Sequence, residues 1–342
     1  MYGMENVMGW TRGHALALIA ALCIVGAGAY LIVAVLDPNQ VTTDARPSTV
    51  GAPAELAGSQ LMVRAVDRDD PSLNGRVFVV KEGRPRQLAG DELACARVYF
   101  AGGRGLCLST AETGVSYEAA IFDSSLRPVD EMSLAGLPSR ARVSRDGRYG
   151  ASTVFVNGHE YLSSGGFSTV TTLVDMRSGE ELGNLESFEV TKDGRPFEAP
   201  DFNFWGVTFA EDPNRFYATL RTGGEYHLVE GDVEEGSMRV LRDGVECPSL
   251  SPDGTRIAFK SRIGEENRWR LKVLDLETLA AHPVAERRTI DDQPEWLDDG
   301  TLVYSDGLDV FTVPADGSGP PRLVMRNATS PVSLRPQPSV QG

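Results

Sequence analysis

A four-residue turn, Ser251-Pro252-Asp253-Gly254, recurs along the chain and constrains the fold more than any other feature of the sequence. Proline fixes φ at the first corner of such a turn, aspartate fits the second, and glycine takes the positive φ that closes a hairpin. Similar turns stand at residues 144–147 and 297–300, and weaker ones at residues 101–104 and 210–214. Successive turns are about 41 to 46 residues apart, except for one gap of about 66.

Apolar residues alternate with other residues before each of these turns. Three residues before the aligned aspartate position the residue is always apolar, namely Val98, Val143, Phe209, Leu250 and Trp296. Alternation with period two predicts strands, and several strands per repeat at this spacing are typical of propeller blades. The five copies, with a sixth blade shared between residues 61–80 and 331–334, predict an all-β fold, a six-bladed β-propeller.

The best copy of the repeat, residues 247–260, resembles the WD40-like (PD40) repeat of the TolB propeller. The whole globular part is similar to the membrane-anchored TolB-like proteins of actinobacteria. This resemblance implies a propeller that binds partner proteins and peptides within an envelope-maintaining complex. The TolB family has an α/β domain before its propeller, whereas an apolar segment and a linker stand in that place here. The repeat carries over only turn and packing residues, so the resemblance assigns no binding residue.

Residues 15–36 form a run without a charged side chain, which predicts a helix that spans a membrane. At ~1.5 Å per residue the run is roughly 33 Å long, enough to cross a bilayer. A cleavable signal peptide is the alternative, but its apolar region is usually only about 7–15 residues. We expect a cytoplasmic tail at residues 1–14, a transmembrane anchor at 15–36, a flexible linker at 37–59 and the propeller at 60–342.

Two of the four cysteines, Cys95 and Cys107, align with residues 247 and 259 of the best repeat. A short turn would place those positions opposite each other, within reach of a disulfide. We therefore expect a Cys95–Cys107 disulfide, with two free buried thiols as the alternative. A disulfide is typical of an oxidising compartment, which would place the propeller outside the cytoplasm. Cys247 is expected to be a small buried hydrophobe.

The composition argues against several classes of function. The net charge of −15 is unsuited to binding nucleic acid, which requires a basic surface. The four histidines are scattered without metal-ligand spacing, and the sequence has no Gly-x-Ser-x-Gly nucleophile motif. We expect no catalytic residue, no metal and no cofactor.

Polar residues at alternate positions of the inner strands predict a binding site at one mouth of the propeller channel. Arg97, Arg142 and Glu295 occupy one repeat position on three blades, and Arg140 precedes Arg142 by two residues. The three arginines would form a basic sector in an acidic protein. The planar fork of arginine suits carboxylates, so we expect an envelope protein or peptide, or a carboxylate-bearing polymer, to bind there. The alternative is that these arginines form salt bridges between blades.

The long gap between the second and third copies contains residues 157–166 and a hairpin at residues 188–197. Insertions in repeat proteins lie on one face and often bind ligands. The alternative is that these residues extend the outer strands of a blade.

Together these features predict a single-pass protein of the cell membrane with a monomeric, extracytoplasmic propeller. Its expected function is that of a non-enzymatic scaffold that binds proteins or peptides in the cell envelope. The alternative is an extracytoplasmic enzyme or glycan-binding module that uses the channel, for which paired carboxylates or a metal would be needed.

The apolar run at residues 15–36 predicts that the protein stays membrane-bound with its N-terminus intact. Cell fractionation should recover the chain with the membranes, and mass spectrometry should find peptides from residues 1–14. Recovery of mature protein from the culture medium, beginning within or after the apolar run, would contradict this prediction.

Overall fold

The computed structural model describes residues 48–49, 60–66, 72–81, 84–87, 93–111, 114–156, 168–264 and 268–334. Within these ranges the regular structure is β, apart from one turn of 3-10 helix at Leu185–Ser187. In chain order the strands are β1 Ser48–Thr49, β2 Gln60–Ala65, β3 Val77–Lys81, β4 Arg84–Gln87, β5 Arg97–Ala101, β6 Arg104–Thr110, β7 Tyr117–Asp123, β8 Pro128–Leu134, β9 Leu137–Val143, β10 Tyr149–Val156, β11 Ser168–Asp175, β12 Glu181–Asn184, β13 Glu189–Lys192, β14 Arg195–Pro196, β15 Asn203–Phe209, β16 Arg215–Thr222, β17 Glu225–Asp232, β18 Ser237–Asp243, β19 Glu246–Leu250, β20 Arg256–Arg262, β21 Trp269–Asp275, β22 Ala281–Pro283, β23 Glu295–Trp296, β24 Thr301–Asp306, β25 Asp309–Pro314, β26 Arg322–Arg326 and β27 Ala328–Leu334.

These strands form six sheets, which are the blades of the propeller. The inner strands of blades 1 to 6 are β27, β5, β9, β15, β19 and β23. Each inner strand contacts the next, and β23 contacts β27, so the ring of blades is closed. The predicted all-β, six-bladed β-propeller is confirmed.

Blade 1 is built from both ends of the propeller. Its strand order is β27-β2-β3-β4, and β27 pairs antiparallel with β2 from Gln60 opposite Leu334 to Ala65 opposite Ala328. The C-terminal strand therefore supplies the inner strand that the first blade lacks, as the sequence predicted. This pairing removes the open sheet edges that a linear array of blades would leave.

In the described part of the chain the apolar core consists of six clusters, and each cluster fills the space between two neighbouring blades. Phe122 of blade 2, for example, packs with Met62 of blade 1, and Phe216 of blade 4 packs with Leu173 of blade 3. The last interface joins blade 6 to blade 1, where Met325 packs with Phe78. Because apolar burial stabilises by about 25 cal/mol per Å², each sheet contributes most when it is covered on both faces.

The Asp-Gly turns are held by a hydrogen-bond network that explains their sequence. Ser251 Oγ donates to Asp253 Oδ1 at 2.5 Å and accepts from the backbone N–H of Arg256 at 2.9 Å. Asp253 Oδ1 also accepts from the backbone N–H of Thr255 at 3.0 Å, and Gly254 has a φ of +72°. The turn at residues 144–147 repeats the contact between serine Oγ and aspartate, at 2.7 Å.

The degenerate turn of blade 2 is shorter than the others. Ala101 pairs directly with Arg104, so that Gly102 and Gly103, both with positive φ, form the whole loop. A Cβ on Gly102 would lie 2.0 Å from the backbone nitrogen of Gly147, in the turn of blade 3. Close contact between the two turns therefore requires glycine at this position.

Two short additions widen the outer edges of the propeller. The β13–β14 hairpin joins blade 4, where β13 runs parallel to β18, and β1 pairs with β26 in blade 6. The hairpin part of the long insertion thus extends a blade, the alternative that the sequence left open. Residues 157–166 lie outside the described residues, and of the predicted linker only Ser48–Thr49 is described.

The predicted transmembrane anchor, residues 15–36, lies outside the described residues. Within the ranges that the structure describes, no helix has the length and apolar character needed to cross a membrane.

The predicted disulfide is confirmed, and Cys95 and Cys107 are joined with their Cα atoms 5.3 Å apart. The expected pairing of the two strands is wrong in detail. Cys107 lies opposite Val98, and Cys95 lies two residues before β5 begins. The reason is the two-residue loop of blade 2, which shifts the pairing of β5 and β6 relative to the other blades.

Loss of this disulfide should destabilise the propeller. Replacing both cysteines by serine should lower the free energy of unfolding by about 3 kcal/mol, the scale for closing a loop of this length. Urea unfolding monitored by tryptophan fluorescence measures the change. A reducing agent should destabilise the native chain by a similar amount and leave the double variant unaffected. Equal sensitivity of both proteins to the reducing agent would contradict the assignment.

Candidate functional site

A funnel of about 990 Å³ opens at the end of the channel where the Asp-Gly turns lie. All six blades contribute to its wall. Its apolar lining includes Phe100, Phe209, Leu250, Pro252 and Leu334. Concave cavities of this size with a mixed apolar and polar lining are typical of ligand sites.

Five polar or aromatic side chains form a ring where the funnel narrows. This polar ring takes one residue from each of blades 2 to 6, and its members are Tyr99, Arg142, Thr208, Ser249 and Glu295. All five point inward from inner strands because side chains on a strand alternate between its two faces.

An ion pair between Arg142 and Glu295 crosses the channel from blade 3 to blade 6. Arg142 Nη1 donates to Glu295 Oε2, and both side chains are only 7% exposed. Arg142 Nη2 also donates to Ser249 Oγ at 3.3 Å and to the carbonyl oxygen of Pro294 at 3.1 Å. Arg142 is therefore engaged in an inter-blade salt bridge, the alternative that the sequence left open.

Tyr99 completes the contacts of this ion pair. The guanidinium of Arg142 lies 4.6 Å from the centre of the Tyr99 ring, and the Tyr99 hydroxyl donates to Glu295 at 3.3 Å. Burial alone would lower the pKa of Arg142, but the oxygens of Tyr99 and Glu295 outweigh it and raise the pKa. Arg142 therefore stays charged across the whole working pH range.

A second, much smaller cavity of about 40 Å³ lies on the other side of the polar ring. Along β5, β9 and β27, the residues that line it precede those that line the funnel, while Tyr99 and Arg142 border both cavities. Arg97, Arg140 and Gln293 line this second cavity. The structure thus separates Arg97 and Arg140 from the funnel, whereas Arg142 and Glu295 lie at its base.

Arg97 and Arg140 are held by backbone carbonyls. Arg97 Nε and Arg140 Nη1 both donate to the carbonyl oxygen of Ser139, at 2.6 Å and 2.8 Å. Arg140 Nη2 reaches the carbonyl oxygen of Asp291 at 3.3 Å. Burial lowers the pKa of Arg97, and the nearby charges of Arg140 and Arg64 lower it further, although Asp292 and Asp291 act in the opposite direction.

The sequence alignment placed Arg97 at the level of Arg142, and the structure corrects this by two residues. The blade 2 turn has a loop of two residues, whereas in blade 3 the backbone of Ser144 pairs with Tyr149 across a longer loop. Tyr99, not Arg97, is therefore the blade 2 member of the polar ring. The shift is even, so the inward and outward pattern of the strand gave no sign of it.

Arg64 of β2 belongs with Arg97 and Arg140, and sequence reasoning missed it. Its Nε donates to the carbonyl oxygen of Cys95 at 2.5 Å, next to Ala96, whose carbonyl accepts from Arg97 at 3.4 Å. Arg64 lies in blade 1, which has no Asp-Gly turn to align. The closing strand β27 takes the inner position there, so the repeat pattern contained no signal for this residue.

Two further expectations from the sequence concern Cys247 and a possible metal site. Cys247 is a free cysteine and is buried, as expected for a small buried hydrophobe. Within the described ranges, no group of three or more histidine, cysteine, aspartate or glutamate side chains is placed to hold a metal ion.

The sequence matches no family model and no curated protein. The fold is similar to the crystal structure of TolB from Acinetobacter baumannii, with a TM-score of 0.58 and 16% sequence identity over 83% of this chain and 68% of that one. It is also similar to a chain of the nidogen/laminin complex, with a TM-score of 0.55 and 10% identity over 82% of this chain and 100% of that one. At such identities the similarity shows the fold alone, and at that level the expected resemblance to a TolB propeller is confirmed.

The buried pair predicts strong energetic coupling between Arg142 and Glu295. Arg142→Met and Glu295→Leu should each lower the free energy of unfolding by about 3–5 kcal/mol, because each leaves one buried charge unpaired. The double variant should lose much less than the sum of the two. Urea unfolding of all four proteins measures the coupling.

A matched control is the exposed pair Arg148–Glu234, whose side chains are 40% and 60% exposed. The same cycle there should give a coupling of about 1 kcal/mol or less. Equal coupling energies for the two pairs would show that the Arg142–Glu295 contact is not a buried ion pair in solution.

Proposed function

We propose that the chain is a single-pass, membrane-anchored propeller on the extracytoplasmic side of the cell membrane. There it acts as a non-enzymatic scaffold that binds a protein or peptide of the cell envelope. The observation that carries this proposal is the funnel of about 990 Å³, to which all six blades contribute.

The lining of the funnel suits a peptide segment. Phe209, Leu250 and Pro252 provide apolar surface, while Arg145 and Glu211 provide opposite charges near the turns. Apolar pockets with a few placed polar groups are the usual means by which proteins fix the orientation of a ligand. Arg145 is exposed, and its Nη2 donates to the carbonyl oxygen of Pro252 at 3.0 Å, so its side chain is already oriented. One of the solved structures with a similar fold is that of the nidogen/laminin complex.

The proposed location rests on two features of the chain. The uncharged run at residues 15–36 is long enough for a membrane anchor. The Cys95–Cys107 disulfide is of the kind that persists in oxidising compartments and is rare in the cytosol. Both are consistent with a propeller held outside the cytoplasmic membrane.

The non-enzymatic part of the proposal rests on the state of Glu295, the one channel carboxylate that the sequence analysis identified. Its carboxylate accepts hydrogen bonds from Arg142 and Tyr99. A general acid or base must be free to exchange a proton with the substrate, whereas the Glu295 carboxylate is held by two side chains of the ring. No observation favours an enzyme or a glycan-binding module over a protein-binding scaffold.

Site-specific photo-crosslinking in intact cells tests the binding site. A photoreactive amino acid placed at Arg145 or at Glu211, both exposed residues of the funnel on neighbouring blades, should crosslink the same envelope protein. Mass spectrometry of the crosslinked product then identifies the partner.

The matched control is Val129, an exposed residue of β8 on the outer part of blade 2. The photoreactive amino acid at this position should not crosslink that partner. Capture of one partner at all three positions, or at Val129 alone, would place the binding surface outside the funnel. Capture of polysaccharide instead of protein would favour the glycan-binding alternative.

A further inference from the structure

Three arginines from three successive blades lie together on the side of the polar ring away from the funnel, and two of them, Arg97 and Arg140, line the small cavity there. We call Arg64, Arg97 and Arg140 the arginine row. Each donates to a backbone carbonyl, and the described residues provide none of the three with a salt bridge. Carbonyl groups orient a guanidinium without neutralising its charge. The row therefore differs from Arg142, whose charge is balanced by Glu295.

The three guanidinium groups lie next to one another. Arg97 and Arg140 share the carbonyl oxygen of Ser139, at 2.6 Å and 2.8 Å, so their donating nitrogens are neighbours. Arg64 and Arg97 bind consecutive carbonyls, those of Cys95 and Ala96. The chain thus brings like charges together at a short distance, which is unfavourable unless an anion accompanies them.

Among the residues that the structure describes, carboxylates balance only part of this charge. Asp291 pairs with Lys260 at 2.5 Å. Asp292 lies near the row, and its oxygens accept backbone hydrogen bonds from Gln293 at 3.0 Å and Ser305 at 3.1 Å. Asp291 and Asp292 both lie near Arg97 and Arg140, and Lys260 adds a fourth positive charge beside these two carboxylates. Among the described residues, about two positive charges are therefore left without a partner.

Some N–H groups of Arg97 and Arg140 also lack a hydrogen-bond partner among the described residues. Arg97 uses Nε and Nη1 on carbonyls, which leaves both N–H groups of Nη2 without a partner in the described part of the chain. Arg140 Nε is buried and has no hydrogen-bond partner there. On the same level of neighbouring blades stand Gly206, which has no side chain, and Cys247, a free, buried cysteine beside Arg140.

We propose that the arginine row binds a doubly charged tetrahedral oxyanion, phosphate or sulfate, on the side of the polar ring away from the funnel. Several guanidinium forks and an excess of about two positive charges suit a dianion with four oxygens better than a carboxylate, which has one charge and two oxygens. The adjoining cavity is only about 40 Å³, so it admits one such group, either free or at the end of a larger molecule. This site lies on the other side of the polar ring and does not depend on peptide binding in the funnel.

Calorimetric titration of the full chain, purified in a non-ionic detergent, tests the proposal. The probes are sodium phosphate and sodium sulfate, with sodium chloride at equal ionic strength as the reference. Phosphate and sulfate should bind with one site per chain and raise the melting temperature, whereas chloride should do neither. Glycerol phosphate in a second titration separates the two sources: tighter binding than phosphate indicates a group carried by a larger molecule, and weaker binding indicates the free ion.

Variants of the row identify the site. Arg97→Gln and Arg140→Gln should each weaken phosphate binding about tenfold or more, the scale of one lost hydrogen bond to a charged group. Arg97→Lys keeps the charge but loses the fork, and it should fall between Arg97→Gln and the native chain. Arg242→Gln is the matched control. Its guanidinium also donates to a backbone carbonyl, that of Leu279, but it lies on an outer strand, so affinity should change less than twofold.

Circular dichroism melting shows whether each variant is folded. If a glutamine variant unfolds, the phosphate affinity of Arg97→Lys still tests whether the row is the binding site. Absence of binding by phosphate and sulfate in the native chain would overturn the proposal. Equal affinities of the native chain and the folded row variants would also overturn it. Neither outcome affects the crosslinking result at the funnel, so failure of this proposal is distinguishable from failure of the proposed function.

Discussion

The pairing of β27 with β2 is the contact on which the rest of the structure depends. Blades 2 to 5 are formed by consecutive stretches of chain, as is blade 6 apart from β1, but blade 1 is complete only when the C-terminal strand joins it. Without that strand, the apolar cluster between blades 6 and 1, which includes Phe78 and Met325, would be exposed to water. Closure thus converts a row of sheets into a ring, and only a ring has a channel with two distinct mouths.

Charge within the channel is arranged in two levels that behave differently. At the polar ring, Arg142 and Glu295 neutralise each other and join blade 3 to blade 6. Two residues earlier on the inner strands, Arg97 and Arg140 are oriented by the carbonyl of Ser139 and keep their charge. The net charge of the chain is −15, so this concentration of positive charge is local. A pore with low-dielectric walls makes such a local field effective.

Most of the architecture could be predicted from the sequence because the Asp-Gly turn carries its own physical explanation. Serine and aspartate hydrogen-bond across the turn and glycine provides the positive φ, so the motif marks a hairpin wherever it occurs. The position of Arg97 along the channel, relative to the polar ring, could not be predicted. The two-residue loop of blade 2 displaces the alignment by two positions, which preserves the alternation of the strand. Arg64 was missed since blade 1 takes its inner strand from the other end of the propeller. The sequence left a salt bridge between blades open as an alternative and did not identify Glu295 as the partner of Arg142. Strand alternation does not tell which side chains meet across a channel.

The disulfide connects the fold to the arginine row. Cys95 lies in the segment that leads from blade 1 to blade 2, and its carbonyl accepts the hydrogen bond from Arg64 Nε. The bond to Cys107 ties that segment to β6, within the apolar cluster between the two blades. The disulfide, buried in the apolar core, therefore fixes the position of this carbonyl and with it the orientation of Arg64. In the next blade the same role falls to Ser139, a buried residue of β9 whose carbonyl is held in place by its strand. A covalent bond replaces the strand where the chain has not yet entered a sheet, and both arrangements hold an arginine beside the channel without cancelling its charge.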